Sequence, residues 1–474
     1  MRRVVGTVGR RIDSVKYRTD PRQLGQSAGS LSSVPRVAIA GSRVRSVSHS
    51  MLYAASVFFL LQQVDALGII DRSIYGEWYG KAGDKITQTL NLLGIVTSLF
   101  LFWSGTSKVG MTRFNRVLPL ATASLLLIST LWSVDPTLTL TRGTAYFFVV
   151  LGAIGLAEVL DTDELMYLLA VICGLSAIAS VVHLLIFPEP GDFSGIFSQK
   201  NILGEVMAGG VLAALYCARI RNRQRFRYFC VIALCTTVAF MSQSATSIIT
   251  IFLFFVLDLL GRLYLKGGST RILSLSLAIG FLLVGTLLLA IFGTDSIFSF
   301  FGKDPTLTGR TLFWPYVIEA ISERPVLGWG FSAFWSPVNP IALQIHEAIL
   351  AHNMIPIANA HNAILEFLLD IGFLGTSLFI FFLMRNLVLA VKCMNGPAEQ
   401  LGLSTVVLLL GILSIGVSEI VLLAAGQIWT SLFFITGCMC EKKLCLARAV
   451  RRQGGSRPRS MVSAVATSRS AIRD

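Results

Sequence analysis

A small set of polar residues stands out in this mostly apolar chain, because their side chains could bind anions or carry protons. They are Arg142 in DPTLTLTR, Lys200 and Asn201 in GIFSQKN, Arg310 in TLTGRTLFW, and the pair His361-Asn362. Arginine and lysine bind phosphate groups, and histidine exchanges a proton near neutral pH. An isolated cation of this kind can equally be a solvated or interfacial anchor, so residue type alone leaves both interpretations open.

Three of the five histidines (His346, His352 and His361) lie in one segment, which raises the question of a metal site. No HExxH spacing or carboxylate-rich pattern accompanies them, so we predict no metal and no cofactor. His352-Asn353 repeats the pair His361-Asn362. We favour His361 as the functional histidine because it directly precedes an apolar span, and His352 is the alternative.

The elements that carry these residues are those of a membrane protein. Hydrophobic residues make up 54% of the 474, charged residues only 14%, and the mean hydropathy is +0.70, whereas soluble proteins are about 25% charged. Apolar runs of roughly 20 residues recur, and the alternating ten-residue segments of an outer-membrane barrel are not seen. The composition predicts an all-α polytopic membrane protein of the inner-membrane type.

About twelve transmembrane helices can be placed, and ten or eleven would also fit. The predicted spans are about 51–70, 87–104, 117–134, 143–160, 165–187, 201–218, 228–241, 246–260, 272–293, 363–384, 401–416 and 422–440. Loops on one side carry 13 Lys/Arg in 52 residues, among them RIRNRQRFR, and loops on the other side carry 8 in about 115. The positive-inside rule therefore predicts that both termini are cytoplasmic.

The formal net charge of +14 is concentrated in the two ends of the chain. Residues 1–50 and 441–474 are predicted to be basic, disordered cytoplasmic tails beside an anionic membrane surface. They lack the interleaved aromatics of a nucleic-acid-binding module, so no nucleic-acid partner is predicted. Residues 51–440 form the predicted multi-span domain.

The longest predicted loop, about 294–362, faces the outside in this topology. Pro315 suits the first turn of a short helix, and Arg324-Pro325 would end that helix. We therefore predict a helical extracytoplasmic loop over the membrane. Three tryptophans in it, Trp314, Trp329 and Trp335, could stack on sugars or anchor the interface.

Several of these stretches resemble the O-antigen ligase/polymerase superfamily, and within it the exopolysaccharide polymerisation proteins of the ExoQ type. The matching elements are LWSVDPTLTLTRG, GIFSQKNILGEVMA, TLTGRTLFW followed by ERPVLGWGFSAFW, and AHNAILEFLLDIGFLG. They occur in the family's order across roughly residues 85–440. One departure is SQSATS, where Ala245 stands at a position that is basic in many relatives.

The resemblance implies a GT-C-like membrane glycosyltransferase that is independent of metal. Its donor would be a glycan on undecaprenyl pyrophosphate, and a chain-length regulator and export machinery would be its partners. Carried over onto this sequence, Arg310 would stabilise the phosphate charge and His361 would accept a proton. Lys200, Asn201, Arg142, Trp314 and Asn362 would bind substrate.

Two alternatives to the polymerase remain open, a ligase that transfers glycan to a lipid or protein, and a secondary transporter. Two further patterns are interpreted as structural. Asp161-Thr162-Asp163 resembles a DxD motif but is predicted to cap a helix. Six acids at or near span ends are interpreted as interfacial: Glu158, Glu205, Asp258, Glu366, Asp370 and Glu419.

Overall fold

A computed structural model describes residues 49–65, 85–106, 113–187, 193–280, 310–351 and 357–455. Regular structure within these ranges is helical, and no strand occurs in them. The helices are α1 (His49–Gln63), α2 (Lys85–Thr106), α3 (Arg113–Ile128), α4 (Pro136–Val159), α5 (Thr162–Ile186), α6 (Lys200–Ile220), α7 (Arg225–Met241), α8 (Ala245–Lys266), α9 (268–280), α10 (Arg310–Glu323), α11 (Pro340–Ala351), α12 (Ala363–Met394), α13 (Glu399–Gly416) and α14 (Ile428–Gly455).

Seven of the described helices are long and apolar enough to cross a membrane: α2, α4, α5, α6, α8, α12 and α13. The all-helical, multi-pass architecture is therefore confirmed. Helices α1, α3 and α7 coincide with predicted spans but have only 15, 16 and 17 residues. The predicted span 272–293 lies partly outside the described residues, and the total of twelve stays a prediction.

Two sequence-based boundaries near the C-terminus are wrong. The last span was predicted to begin near residue 422, but residues 417–427 form turns and α14 begins at Ile428. Helix α14 then continues through residues 441–455, which were predicted to be a disordered tail. The apolar run VLLAAG looks like membrane-spanning sequence, yet it is used in a connection between helices.

The core of the bundle includes residues of α4, α5, α6, α8, α12, α13 and α14, and several large aromatic side chains are fully buried in it. Trp429, Tyr146 and Phe434 are examples. The Tyr146 hydroxyl donates to the Leu422 carbonyl at 2.6 Å. This bond fixes the 417–427 connection against α4, because a buried hydroxyl and a buried carbonyl both need a partner.

Residues 310–362, called the cap below, contain α10 and α11 and have a separate apolar core. Phe313, Val317, Phe334 and Ile345 are almost completely buried in it. The described part of the predicted loop is helical, as predicted. Helix α10 starts at Arg310, earlier than the proline-based start predicted, and includes Pro315. It ends at Glu323, directly before Arg324-Pro325, as predicted.

Asp161 begins α5, as predicted for the DxD-like sequence. Its side chain and that of Glu164 form a reciprocal capping box, in which Glu164 accepts from the Asp161 amide at 3.0 Å. The Asp163 carboxylate accepts from the Tyr216 hydroxyl at 2.6 Å. Both acids thus have structural partners, and nothing about them indicates a nucleotide site.

Candidate active site

Helix α12 is broken at Gly372, and a segment of the cap docks into the break. Gly372 has φ 60° and ψ −169°, which interrupts the helical hydrogen bonds of its neighbours. Four backbone hydrogen bonds of 2.7–3.1 Å to the cap satisfy the amides and carbonyls that the break leaves without helical partners. The amides of Phe373 and Leu374 donate to the carbonyls of Pro325 and Val326. The amides of Trp329 and Gly330 donate to the carbonyls of Leu369 and Asp370. The cap is therefore joined to α12 by main-chain bonds and not by side chains alone.

Glycines make this close approach possible. Gly328 and Gly372 both have positive φ, 70° and 60°, a conformation that costs glycine little. A Cβ on Gly372 would lie 2.4 Å from the Val326 carbonyl carbon, and one on Gly328 would lie 2.6 Å from the Ile371 nitrogen. Gly328 of ERPVLGWGFSAFW and Gly372 of DIGFLG are therefore both explained by this backbone crossing.

The start of α4 completes this junction. The Val134 amide donates to the Trp329 carbonyl at 2.9 Å. The Asp135 carboxylate caps α4 at the Leu138 amide and accepts from the Ser336 hydroxyl at 2.6 Å. The Ser336 hydrogen bond, followed by that of Leu138, lowers the pKa of Asp135 below its usual value. Three stretches far apart in sequence thus meet at one place.

Arg142, one of the predicted substrate-binding residues, lies beside this junction. Its guanidinium donates to both the carbonyl and the hydroxyl oxygen of Ser332, at 2.9 and 2.8 Å. Ser332 has a positive φ of 55°. Arg142 is exposed, so a ligand could reach its guanidinium. Arg142 therefore connects α4 to the cap, and its predicted contact with substrate stays a prediction.

His361 lies at the start of α12, where it contacts a buried acid. Its Nδ1 is 3.3 Å from Oε2 of Glu419, and the Asn201 side chain donates to Oε1 of the same carboxylate at 2.8 Å. Asn362 caps α12 and its side-chain amide also donates to the Val417 carbonyl at 3.2 Å. Two predicted site residues, Asn201 and His361, are therefore brought together by Glu419.

This arrangement can support proton transfer. We assign the Nδ1 proton from its carboxylate partner, and in that tautomer the lone pair is on Nε2. The His361 side chain is 30% exposed, whereas that of Glu419 is 11% exposed. A histidine oriented by a buried carboxylate and open on one side has the features of a general base.

The serine-rich turn between α7 and α8 approaches the same place. Thr246 and Ser418 share a hydroxyl hydrogen bond at 2.6 Å, one residue from Glu419. Ser244 and Ser247 bond to each other at 3.0 Å and lie against Gly204 of α6. The turn that contains Ala245 therefore adjoins the site, as the resemblance implies, although it contributes no cation.

The structure describes the other predicted site residues to different extents. Lys200 is the first residue of α6, directly before Asn201, and is partly buried. Arg310 begins α10, but its side chain lies outside the described residues, as does all of His352. The Trp314 indole donates to the Ala360 carbonyl at 3.0 Å. Stacking of Trp314 on a sugar is not tested by this contact.

The other two cap tryptophans have internal roles. Trp329 is only 5% exposed, and its indole donates to the Ala320 carbonyl at 2.9 Å. Neither of the functions predicted for it, sugar stacking or interfacial anchoring, agrees with that burial. The Trp335 indole donates to Glu366 at 3.3 Å, and its ring stacks on His346. Both tryptophans hold the cap together.

All six acids that were interpreted as interfacial are buried within the protein, and their depth in the membrane stays a prediction. Their exposed fractions are 3% for Glu158, 6% for Glu205, 1% for Asp258, 4% for Glu366, 1% for Asp370 and 9% for Glu419. Sequence reasoning therefore missed Glu419 as a partner of His361. The available signal was the rule that acids within apolar spans are functional candidates by default.

A small cavity lies between α6 and the start of α14. Glu205, Gln63 and Gln427 line it, and its space of about 60 Å³ suffices for a few water molecules and not for a sugar. The His361 ring is partly exposed outside this cavity, whose lining does not include it. Among the described residues, no group of three or more His, Cys, Asp or Glu side chains could hold a metal.

Comparisons with known proteins agree with these features. Residues 228–380, which include the cap and the broken part of α12, match the family described as O-antigen ligase. The chain is also 27% identical over 271 residues to the exopolysaccharide production protein ExoQ of Rhizobium meliloti (strain 1021). That alignment covers 52% of this chain and 59% of the relative.

The resemblance to the O-antigen ligase/polymerase superfamily, and to its ExoQ-type proteins, is thus confirmed. The protein is a multi-pass membrane protein that resembles this family. Arg310, His361 and Asn362 fall within the family match, whereas Arg142, Lys200 and Glu419 lie outside it.

Proposed function

We propose that this protein polymerises oligosaccharide repeats carried on undecaprenyl pyrophosphate during exopolysaccharide biosynthesis. The observation that carries the proposal is the contact of His361 with Glu419 at the mouth of the bundle, where Asn201 binds the other carboxylate oxygen. A solvent-accessible histidine oriented by a buried acid suits a reaction that must deprotonate a sugar hydroxyl.

In the proposed reaction, Nε2 of His361 removes the proton from an acceptor hydroxyl. The hydroxyl oxygen forms a bond to the anomeric carbon of the donor, and the bond from that carbon to the lipid pyrophosphate breaks. The pyrophosphate leaves with the electron pair, so negative charge develops on its oxygens. Arg310, assisted by Arg142 or Lys200, would stabilise that charge by bidentate or point-charge contacts.

The proposed setting is the outer face of the bacterial inner membrane. The excess of Lys/Arg in the opposite set of loops supports this orientation, with both termini cytoplasmic. We propose a GT-C-like bundle of about twelve spans, with basic segments at 1–50 and 441–474, the second of which includes the end of α14, and the extracytoplasmic loop at 294–362. A chain-length regulator and export machinery are the expected partners, and the reaction needs no metal or cofactor.

A ligase reaction is the second candidate, because the matched family is described as O-antigen ligase. The chemistry at His361 would be the same, and the acceptor would be a lipid or protein in place of a growing glycan. A transporter is less well supported. Broken helices often form transporter binding sites, but the backbone groups freed at Gly372 already bond to residues 325–330.

The proposal can be tested with purified protein in liposomes, supplied with a short oligosaccharide on undecaprenyl pyrophosphate and with EDTA. Mass spectrometry would follow the products. We expect ladders of two or more repeats, lost in His361→Gln and retained in His346→Gln, which alters another histidine of the cap. Transfer only to an added lipid or protein acceptor would favour the ligase. If no glycan is transferred from a donor of established relevance, both the polymerase and the ligase proposals are contradicted.

A further inference from the structure

The backbone at His361 has a conformation that its surroundings must impose. Its φ is 47°, in the left-handed region, where residues other than glycine are uncommon. Such a conformation costs free energy and persists where neighbouring contacts over-determine it, commonly at functional sites. The contacts of residues 359–362 therefore show which residues fix the imidazole.

Side chains bind the main chain on both sides of the Ala360–His361 peptide. Glu366 accepts from the Ala360 amide at 2.7 Å, and the Trp314 indole donates to the Ala360 carbonyl at 3.0 Å. The His361 amide in turn donates to the Asn359 side chain at 2.8 Å. Three consecutive polar groups of the main chain are thus held by side chains and not by secondary structure.

Glu366, in the first turn of α12, is itself fixed by a contact with the cap. It is 4% exposed, and the Trp335 indole donates to the same oxygen that accepts from Ala360, at 3.3 Å. No lysine or arginine among the described residues forms a salt bridge with it. Its Oε2 therefore accepts from two N–H donors, of which one is the backbone amide of Ala360, the residue before His361.

We infer that Trp314 and Glu366 are positioning residues, which clamp the Ala360 peptide and so hold the His361 imidazole toward the acceptor hydroxyl. This role rests on the proposed function of His361. Trp314 lies one helical turn after Arg310 in α10. The clamp therefore also connects the helix proposed to bind the donor phosphate with the residue proposed to activate the acceptor.

The clamp can be tested by hydrogen exchange together with kinetics. Trp314→Phe keeps an aromatic ring and removes the N–H donor. Trp329→Phe is the matched control, because it removes an indole bond of the same kind, to Ala320, elsewhere in the cap. We expect faster amide exchange in residues 357–365 for Trp314→Phe and Glu366→Ala, partial restoration in Glu366→Gln, and no change there in Trp329→Phe.

In the polymerisation assay we expect kcat to fall by about ten- to a hundredfold in Trp314→Phe, with little change in KM for the donor, because a displaced base slows the chemical step. Unchanged exchange in 357–365, or an equal loss of kcat in Trp329→Phe, would overturn the clamp. If wild-type protein transfers no glycan, the proposed function fails, while the exchange result still decides whether the clamp exists.

Discussion

At one end of the bundle, Asp258 lies between Arg219 and Arg262, and Glu158 contacts Arg116 at 3.3 Å. At the other end, where the cap lies, Glu366 accepts from an indole and a backbone amide instead. Helices α4, α8 and α12 all begin at the cap end. Glu158 and Asp258 lie in later turns of α4 and α8, whereas Glu366 lies in the first turn of α12.

The difference separates two uses of a buried carboxylate. A carboxylate paired with arginine is neutralised within the protein, and removing either partner leaves an uncompensated buried charge. A carboxyl group that accepts only from neutral N–H donors orients those donors through its hydrogen bonds. The first arrangement maintains the bundle, whereas the second is suited to chemistry at the cap end.

The largest expected effect is that of His361→Gln on the reaction rate. A general base contributes about 10²- to 10⁴-fold, so the rate of polymerisation in liposomes should fall by that range while the protein still folds. The rate should be compared at equal amounts of monodisperse protein. A rate within twofold of wild type would remove His361 from the mechanism.

Asp258→Asn should produce the largest loss of stability. Arg219, whose side chain is only 8% exposed, would lose its carboxylate partner, and breaking a buried pair costs about 3–5 kcal/mol. Thermal unfolding in detergent would measure the loss, with Glu399→Gln, an exposed acid, as control. Activity per folded molecule should be nearly unchanged. Loss of activity with normal stability would contradict the division between the two ends.

Gly372→Ala should loosen the docking of the cap on α12. The positive φ disfavours alanine, and the new Cβ would lie 2.4 Å from backbone atoms of Val326. A cost of about 1–3 kcal/mol is expected, visible as faster hydrogen exchange in residues 325–330. Gly174→Ala is the control, since its Cβ would meet Val231 at an ordinary 3.7 Å. Equal rates of hydrogen exchange in residues 325–330 of both variants would show that docking of the cap does not depend on Gly372.

Asp135→Ala should have the smallest effect, because one helix cap is lost. Removal of an N-cap costs about 1 kcal/mol. Since hydrogen bonds lower the pKa of Asp135, its stabilising contribution is complete above its ordinary pKa of about 3.9 and is lost as pH falls through the lower folded value. Unfolding measured at neutral and acidic pH should show the variant and wild type converging. A difference in stability between the variant and wild type that grows as the pH falls would contradict this prediction.

The sequence was sufficient for the membrane class, most helices and the stretches that form the site. It could not predict the break in α12, because DIGFLG continues an apolar run and the break depends on bonds to residues 325–330. Glu419 was missed for a similar reason. Its partner Asn201 is 218 positions away, and the connection that contains it is as apolar as a span. Both features arise from tertiary contacts that local patterns do not encode.

The central claim is that Glu419 acts through His361, and a double-mutant comparison tests it most directly. Initial rates of polymerisation would be measured for Glu419→Gln in two backgrounds, wild type and His361→Gln. Loss of a residue that orients a catalytic group lowers the rate about 10- to 100-fold, and we predict a fall of that size for Glu419→Gln in the wild-type background. In the His361→Gln background we predict a fall of less than about twofold, because the effects of residues that act as a unit are not additive. An equal loss in both backgrounds would contradict the account.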